Sequence, residues 1–215
     1  MKLLELIKDL PVVHQKGDID IEVTGVTKDS RKVQNGFVFF LTDKSEKYIK
    51  DALDKGAAVV VAEFETDIDA QCSIIVKDTK KALGQAASRF YGIPSEKLNV
   101  TGITGTNGKT TTSYLIESIL KSYGRKTGLI GTISYRYGGN TLKAYNTTPG
   151  AEELQELLCD MLTFDTEYAI MEVSSHALDQ KRVEGIHFDT AILTNITHDH
   201  LDYHKTIEHY REAKK

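Results

Sequence analysis

Residues 104–112 read Thr-Gly-Thr-Asn-Gly-Lys-Thr-Thr-Thr, and no other stretch constrains the fold of this chain as tightly. The apolar run Leu98–Thr104 stands before it and the helical repeat of Lys109–Tyr123 follows, so the segment joins a strand to a helix. Glycines in such a turn let the backbone curl until its amide donors converge, and the helix N-terminus adds partial positive charge. Gly105, Thr106, Asn107, Gly108, Lys109, Thr110 and Thr111 therefore predict a cradle for phosphate oxygens. Lys109 would supply a full charge to it and Thr110 a hydroxyl for Mg2+. The usual spacing has a glycine five residues before Gly108; here that place holds Ile103, and the glycine stands one earlier, at Gly102. An isolated Gly-Lys-Thr is as often an exposed turn, and it is the flanking strand and helix that favour phosphate.

The rest of the chain alternates in the same way. Helical spacing covers Leu3–Leu10, Lys47–Lys55 (closed by Gly56) and Thr79–Tyr91, with strand patterns over Glu22–Val26, Phe37–Leu41, Ala57–Ala62 and Ser73–Val76. Turn formers at Gly92–Lys97 then break the pattern and put a domain boundary near residue 97, giving domains 1–97 and 98–215. Beyond it, strands are predicted at Leu98–Thr104, Thr127–Ile130, Tyr168–Val173 and Thr190–Thr194, and a hairpin over Ser134–Tyr145 turning at Gly138-Gly139-Asn140. Glu152–Leu162 is helical, and another helix starts at Thr206. The expected fold class is α/β, with a mostly parallel sheet in the second domain.

Bulk properties exclude several classes of function. The chain has 215 residues, 40% hydrophobic and 27% charged, with a formal net charge of −4, so no global positive field exists to gather nucleic acid or coat an anionic membrane. No apolar run approaches bilayer length, and Asp9 and Pro11 interrupt the N-terminal segment before a secretory core could form, which predicts a cytoplasmic protein. Cys72 and Cys159 lie far apart in apolar stretches and read as buried thiols, neither bridged nor catalytic.

Two further segments carry chemistry. Glu172–Leu178 reads EVSSHAL at a strand end, where ligands of α/β sheets gather, and its carboxylate suits Mg2+, the less favoured alternative being a cap on the turn that follows. Thr194–His204 reads TNITHDHLDYH and packs His198, Asp199, His200, Asp202 and His204 into seven positions. Zinc held by these histidines is the alternative to Mg2+, disfavoured because no cysteine lies nearby and a phosphate loop is present.

Together with NTTP at Asn146–Pro149 and YREAK at Tyr210–Lys214, the order and spacing of these motifs resemble the Mur ligases, in particular the UDP-N-acetylmuramoyl-tripeptide synthetases. The motifs cover the whole second domain; TKDSRKVQNGFVFF at Thr27–Phe40 carries the likeness into the first. The resemblance implies a small uridine-nucleotide domain over 1–97 and a truncated P-loop-type central domain binding ATP over 98–215. It also implies that a C-terminal domain presenting the incoming amino acid is absent. It implies an ATP-dependent ligase adding the third amino acid, meso-diaminopimelate or L-lysine, to UDP-N-acetylmuramoyl-L-alanyl-D-glutamate in peptidoglycan biosynthesis, through an acyl phosphate. The expected partners are these small molecules alone, and the expected state is a monomer.

Carried over residue by residue, the resemblance makes Gly105–Thr111 the ATP loop and Lys109, His200 and Lys214 the catalytic group. It assigns Thr110 and Glu172 to one Mg2+, and His200 with Lys214, as a carbamate, to a second. It assigns Ser30, Asn146, Thr147, Thr148, Ser174, Gln180 and Arg182 to the UDP-linked substrate. Lys214 stands one residue from the end of the sequence, so its helix is expected to fray and the amine to be unmodified. After Phe40 the family has a longer glycine-containing loop, where this chain reads Leu41-Thr42-Asp43-Lys44-Ser45-Glu46-Lys47, which leaves the uridine contacts of that loop open. The other readings are a related ligase such as a folylpolyglutamate synthetase, and a non-catalytic nucleotide-binding fragment. NTTP, EVSSHAL and the pair Gln180 and Arg182 favour the tripeptide synthetase.

Overall fold

The computed structural model describes residues 1–43, 47–65 and 70–215, so the altered segment after Phe40 lies partly outside the described residues, at 44–46. The chain forms two compact units, Met1–Gly92 and Ile93–Lys215. No helix among the described residues is long and apolar enough to cross a membrane.

The first unit runs α1 (Leu3–Ile7), β1 (Val12–Gly17), β2 (Gly25–Thr27), a 3-10 turn at Ser30–Lys32, β3 (Phe37–Phe40), α2 (Lys47–Asp54), β4 (Val59–Ala62), β5 (Cys72–Val76) and α3 (Thr79–Phe90). Its sheet has the order β1-β5-β4-β3-β2. The strands from β2 to β5 are parallel, and β1 is antiparallel on the edge. Every residue of β4 is buried, as a strand covered on both faces requires. The sequence pattern missed β1, whose burial falls away after Val12, and put β2 three residues early; Glu22 makes only an isolated bridge to Lys2.

The second unit opens with a 3-10 turn at Pro94–Glu96, where the Ser95 hydroxyl accepts from the His187 amide at 3.0 Å. The turn formers expected to act as a linker are thus ordered within this unit. There follow β6 (Asn99–Thr104), α4 (Lys109–Ser122), β7 (Thr127–Ile130), β8 (Ser134–Tyr137), β9 (Asn140–Lys143), α5 (Ala151–Thr163), β10 (Tyr168–Glu172), α6 (Ser175–Asp179), β11 (Thr190–Leu193), α7 (Leu201–His204) and α8 (Ile207–Glu212). The sheet order is β11-β6-β10-β7-β8-β9, parallel from β11 to β7 and closed by the β8–β9 hairpin. That hairpin turns on Gly138 and Gly139 at φ 55° and 82°, the left-handed conformations that a tight two-residue turn demands.

Fold class is therefore α/β with two mostly parallel sheets. In α5, Leu154, Leu157, Leu158 and Met161 recur at helical spacing and bury one stripe against Val100, Ala169 and Met171 of the sheet. This packing holds β6 and β10 side by side, so the loops leaving their C-terminal ends share one crevice. Leu158 is fully buried, and Leu158→Ala should lower the unfolding free energy by about 2–5 kcal/mol in a urea titration. A loss under about 1 kcal/mol would mean that α5 does not carry this core.

Candidate functional site

The loop after β6 is built by backbone rather than by side chains. Gly105 has φ 144°, and a Cβ there would fall 1.9 Å from the Thr194 hydroxyl oxygen. Gly108, at φ 85°, is the N-cap of α4. The segment after β11 clamps the loop: the Thr106 amide donates to the Asn195 carbonyl at 2.9 Å, and the Asn107 amide to Asn195 Oδ1 at 3.1 Å. Asn195 Nδ2 and the Thr194 hydroxyl donate back to the Asn107 carbonyl, at 3.1 and 2.7 Å. Lys109 folds over this loop, its ammonium donating to the carbonyls of Gly105 at 2.8 Å and Thr106 at 3.0 Å. Burial pulls its pKa down, against the charges of Glu172 and Asp199. The displaced glycine, Gly102, lies inside β6, where a Cβ would sit 2.7 Å from the Phe188 ring; it serves strand packing, not the loop.

At the end of β10 the Glu172 side chain is fully buried. Its carboxylate accepts from the Thr110 hydroxyl at 2.8 Å, the Thr132 hydroxyl at 3.1 Å and the Thr132 amide at 3.1 Å. These three donors are neutral. The structure thus unites Thr110 with Glu172, 62 positions apart in sequence, and adds Thr132, which the motifs did not mark.

The NTTP segment is tied to the same strand end. The Thr148 hydroxyl donates to the Glu172 carbonyl at 2.8 Å and accepts from the Ser174 amide at 3.0 Å, while Thr147 and Thr132 share a hydroxyl contact at 3.1 Å. The Asn146 carbonyl accepts from the Tyr135 hydroxyl at 2.6 Å. After α6 the chain closes in a Schellman turn: Lys181, at φ 56°, donates its amide to the Leu178 carbonyl, and the Arg182 amide reaches the Ala177 carbonyl at 2.8 Å. The Arg182 guanidinium then meets the Thr148 carbonyl at 2.9 Å and Gln180 Oε1 at 2.6 and 3.0 Å. Thr147, Thr148, Ser174, Gln180 and Arg182 therefore belong to one network around the Glu172 strand end, while Asn146 is held beside it by Tyr135.

The histidine segment gathers rings. His176 lies 4.9 Å from His200 and 5.6 Å from His204, and Tyr210 lies 6.3 Å from His200 and 5.4 Å from His204, centroid to centroid. Burial lowers the pKa of His176 and of His204. Among the described residues no group of three His, Cys, Asp or Glu side chains stands close enough together to hold a metal ion.

Lys214 corrects an expectation. It does not fray: it is 9% exposed, and its ammonium donates to the Thr104 hydroxyl at 3.0 Å and the Gly105 carbonyl at 3.2 Å. The cause is the anchoring of α8. Thr206 caps it, and the fully buried Tyr210 shares a 2.8 Å hydroxyl contact with Thr106 of the loop. Burial, helped by the nearby Lys109 charge, lowers the Lys214 pKa to about 8.

Ser30 belongs to the first unit. It is buried at the start of a 3-10 turn, and its carbonyl accepts from the Lys55 ammonium at 3.0 Å. The preceding Asp29 caps that turn, and the Arg31 guanidinium holds its carboxyl at a pKa of about 2.

Gly105→Ala should cost about 3 kcal/mol or more in chemical denaturation, because it combines a conformation nearly reserved for glycine with a clash. Added to Thr194→Ala it should cost less than in the parent, since the clashing hydroxyl is gone. Strict additivity would show that Thr194 does not press on the loop.

The Mur ligase middle domain matches residues 103–215, just over half of the chain. The UDP-N-acetylmuramoyl-L-alanyl-D-glutamate--2,6-diaminopimelate ligase of Bacillus cereus is 45% identical over 99% of this chain and 43% of its own length. The enzyme of the same name from Listeria monocytogenes serovar 1/2a is 44% identical over 100% of this chain and 44% of its own. A solved structure of a ligase so named superposes with a TM-score of 0.85 at 29% identity, covering 100% of this chain and 44% of that one. The chain thus spans a little under half the length of the curated relatives it matches. With the domain match extending from the phosphate loop through Lys214, the chain belongs to the Mur ligase family.

Proposed function

We propose that this chain is the uridine-nucleotide- and ATP-binding portion of a cytoplasmic ligase that joins 2,6-diaminopimelate to UDP-N-acetylmuramoyl-L-alanyl-D-glutamate. The observation that carries this reading is the 45% identity, along 99% of the chain, to a relative named for that reaction. The geometry of the second unit supports the ATP half of it. Residues 1–97 would hold the uridine nucleotide with Ser30, and residues 98–215 would hold ATP, with Gly105–Thr111 around its phosphates.

The chain's own residues then act by positioning and charge. Lys109, now turned onto two loop carbonyls, would swing to the transferring phosphoryl group and offset the charge gathering between it and the substrate carboxylate. Asn146, Thr147, Thr148, Ser174, Gln180 and Arg182 would hold the sugar, diphosphate and peptide so that this carboxylate faces the phosphate. Glu172 suits Mg2+: a buried carboxylate met only by neutral donors, with the Thr110 hydroxyl on one oxygen, offers the oxygen ligands that ion takes alongside phosphate. When bound there, Mg2+ would neutralise phosphate charge. His200 and Lys214 would serve a second ion, with Lys214 as its carbamate.

Carbamate formation requires a neutral amine. At pH 8 an exposed lysine is neutral in roughly 0.3% of molecules, whereas Lys214, its pKa lowered by burial to about 8, is neutral far more often. Labelling with 13C-bicarbonate should therefore give a carbamate carbon signal in the parent and none in Lys214→Ala, and Lys214→Ala should abolish most turnover in the full-length enzyme. Identical spectra from parent and variant would remove Lys214 from the mechanism. Lys109→Ala should weaken ATP by about 10- to 100-fold in calorimetry, the worth of a charged hydrogen bond. Unchanged affinity in the folded variant would refute the phosphate-loop reading.

A further inference from the structure

Arg182 is held by a relay of hydrogen bonds whose polarity is set at its far end. The Asp179 side chain is exposed, and a carboxylate has oxygens that accept and no N–H to donate. It takes the Tyr203 hydroxyl proton at 2.6 Å. With its proton committed, Tyr203 oxygen can only accept from the Gln180 side chain, whose Nε2 donates to it at 3.2 Å. That orients the Gln180 amide: Nε2 faces Tyr203, so Oε1 faces the guanidinium and accepts from Arg182 Nη2 at 2.6 Å and Nε at 3.0 Å. Flipping the amide would aim its NH2 at the Arg182 donors, and both contacts would be lost. The remaining Arg182 donor, Nη1, reaches the Thr148 carbonyl at 2.9 Å.

We infer that Tyr203 is a positioning residue for Arg182: its hydroxyl fixes the Gln180 amide and thereby aims the guanidinium at an anionic group of the bound nucleotide-sugar peptide. The part of this that concerns substrate rests on the function proposed above. The geometry of the turn makes the relay necessary. Gln180 and Arg182 flank Lys181, a non-glycine residue in the left-handed region, and the Schellman bonds hold their backbone but leave both long side chains free to rotate. A guanidinium pre-aimed by a fixed acceptor loses less freedom when it meets a diphosphate or carboxylate, so the relay contributes to affinity without touching the ligand. Tyr203 also lies on α7, four residues beyond Asp199 and three beyond His200, and its ring is 4.2 Å from that of His176. The relay thus joins the histidine segment to the substrate network.

Tyr203→Phe tests this, because it deletes the hydroxyl and keeps the ring against His176. Two measurements are made on parent and variant: binding of UDP-N-acetylmuramoyl-L-alanyl-D-glutamate and of ATP by calorimetry, and water exchange of the Arg182 Nε–H by 15N NMR without ligand. The variant should bind the nucleotide-sugar peptide about tenfold more weakly and ATP within about twofold of the parent. Its Arg182 Nε–H should exchange several-fold faster, with the melting temperature essentially unchanged. Asp179→Asn, which leaves an acceptor oxygen for the hydroxyl but no longer dictates the polarity, should show a smaller change in the same direction. Unaltered Nε–H exchange in Tyr203→Phe overturns the inference, as does an equal loss for both ligands with a lowered melting temperature, which marks a structural role. Failure of the parent to bind the nucleotide-sugar peptide would instead overturn the proposed function, and the exchange measurement would still decide whether Tyr203 positions Arg182.

Discussion

A carboxylate with no exposed surface sits at the centre of the second unit, and the loops around it are arranged to keep it there. Removing an ionised Glu from water costs several kcal/mol unless its oxygens find donors. Glu172 finds them on α4, through Thr110, and on the loop after β7, through both the amide and the hydroxyl of Thr132. Its own carbonyl takes the Thr148 hydroxyl. One residue at the end of β10 therefore ties three segments together, two through its carboxylate and one through its backbone carbonyl. Gly131 permits the arrangement: a Cβ there would stand 2.3 Å from Glu172 Oε1, so a side chain would push the carboxylate off the backbone.

What the sequence disclosed of the fold follows from how each element is covered. Strands buried on both faces, such as β4 and the inner part of β10, are nearly continuous apolar runs and were legible, as was the 3.6-residue stripe of α5. The strand β1 was not, because His14, Gln15 and Lys16 face solvent and only pairing with β5 makes them a strand. At five and four residues, α6 and α7 are too short for a period to register. Gly102 was visible as a glycine out of place, but its reason is the Phe188 ring, which nothing in the local sequence announces.

The site divides along the same line. Lys109, Thr110 and Glu172 were legible because strand ends and a glycine loop are local signals. Thr132, Asn195, Tyr203 and Asp179 are ordinary polar residues until folding brings them to a carboxylate, a loop or an amide. Lys214 was misjudged for a related reason. Its place near the end of the sequence pointed to disorder, while its partners Thr104 and Gly105 lie 110 and 109 positions away. A helix as short as α8 has little stability of its own, and here it rests on Tyr210, which is fully buried and bonded to Thr106.

The Gly105 carbonyl accepts from both Lys109 and Lys214, and that sharing bears on how the loop could work. Two ammonium groups on one oxygen raise the cost of charging either, which adds to burial in lowering the pKa of Lys214. The sharing also means that either lysine can leave without stranding the carbonyl, so the penalty for an unpaired buried acceptor does not arise. Under the proposed function, Lys109 would move onto a phosphate while the Lys214 ammonium keeps the Gly105 carbonyl paired, and only the Thr106 carbonyl would give up its lysine contact. The reverse also holds: with Lys109 donating to Gly105, Lys214 can lose its proton to become a nucleophilic amine and the loop geometry survives. A backbone acceptor with two alternative cations thus lets one lysine at a time leave the loop, provided that Tyr210 keeps α8 docked against Thr106.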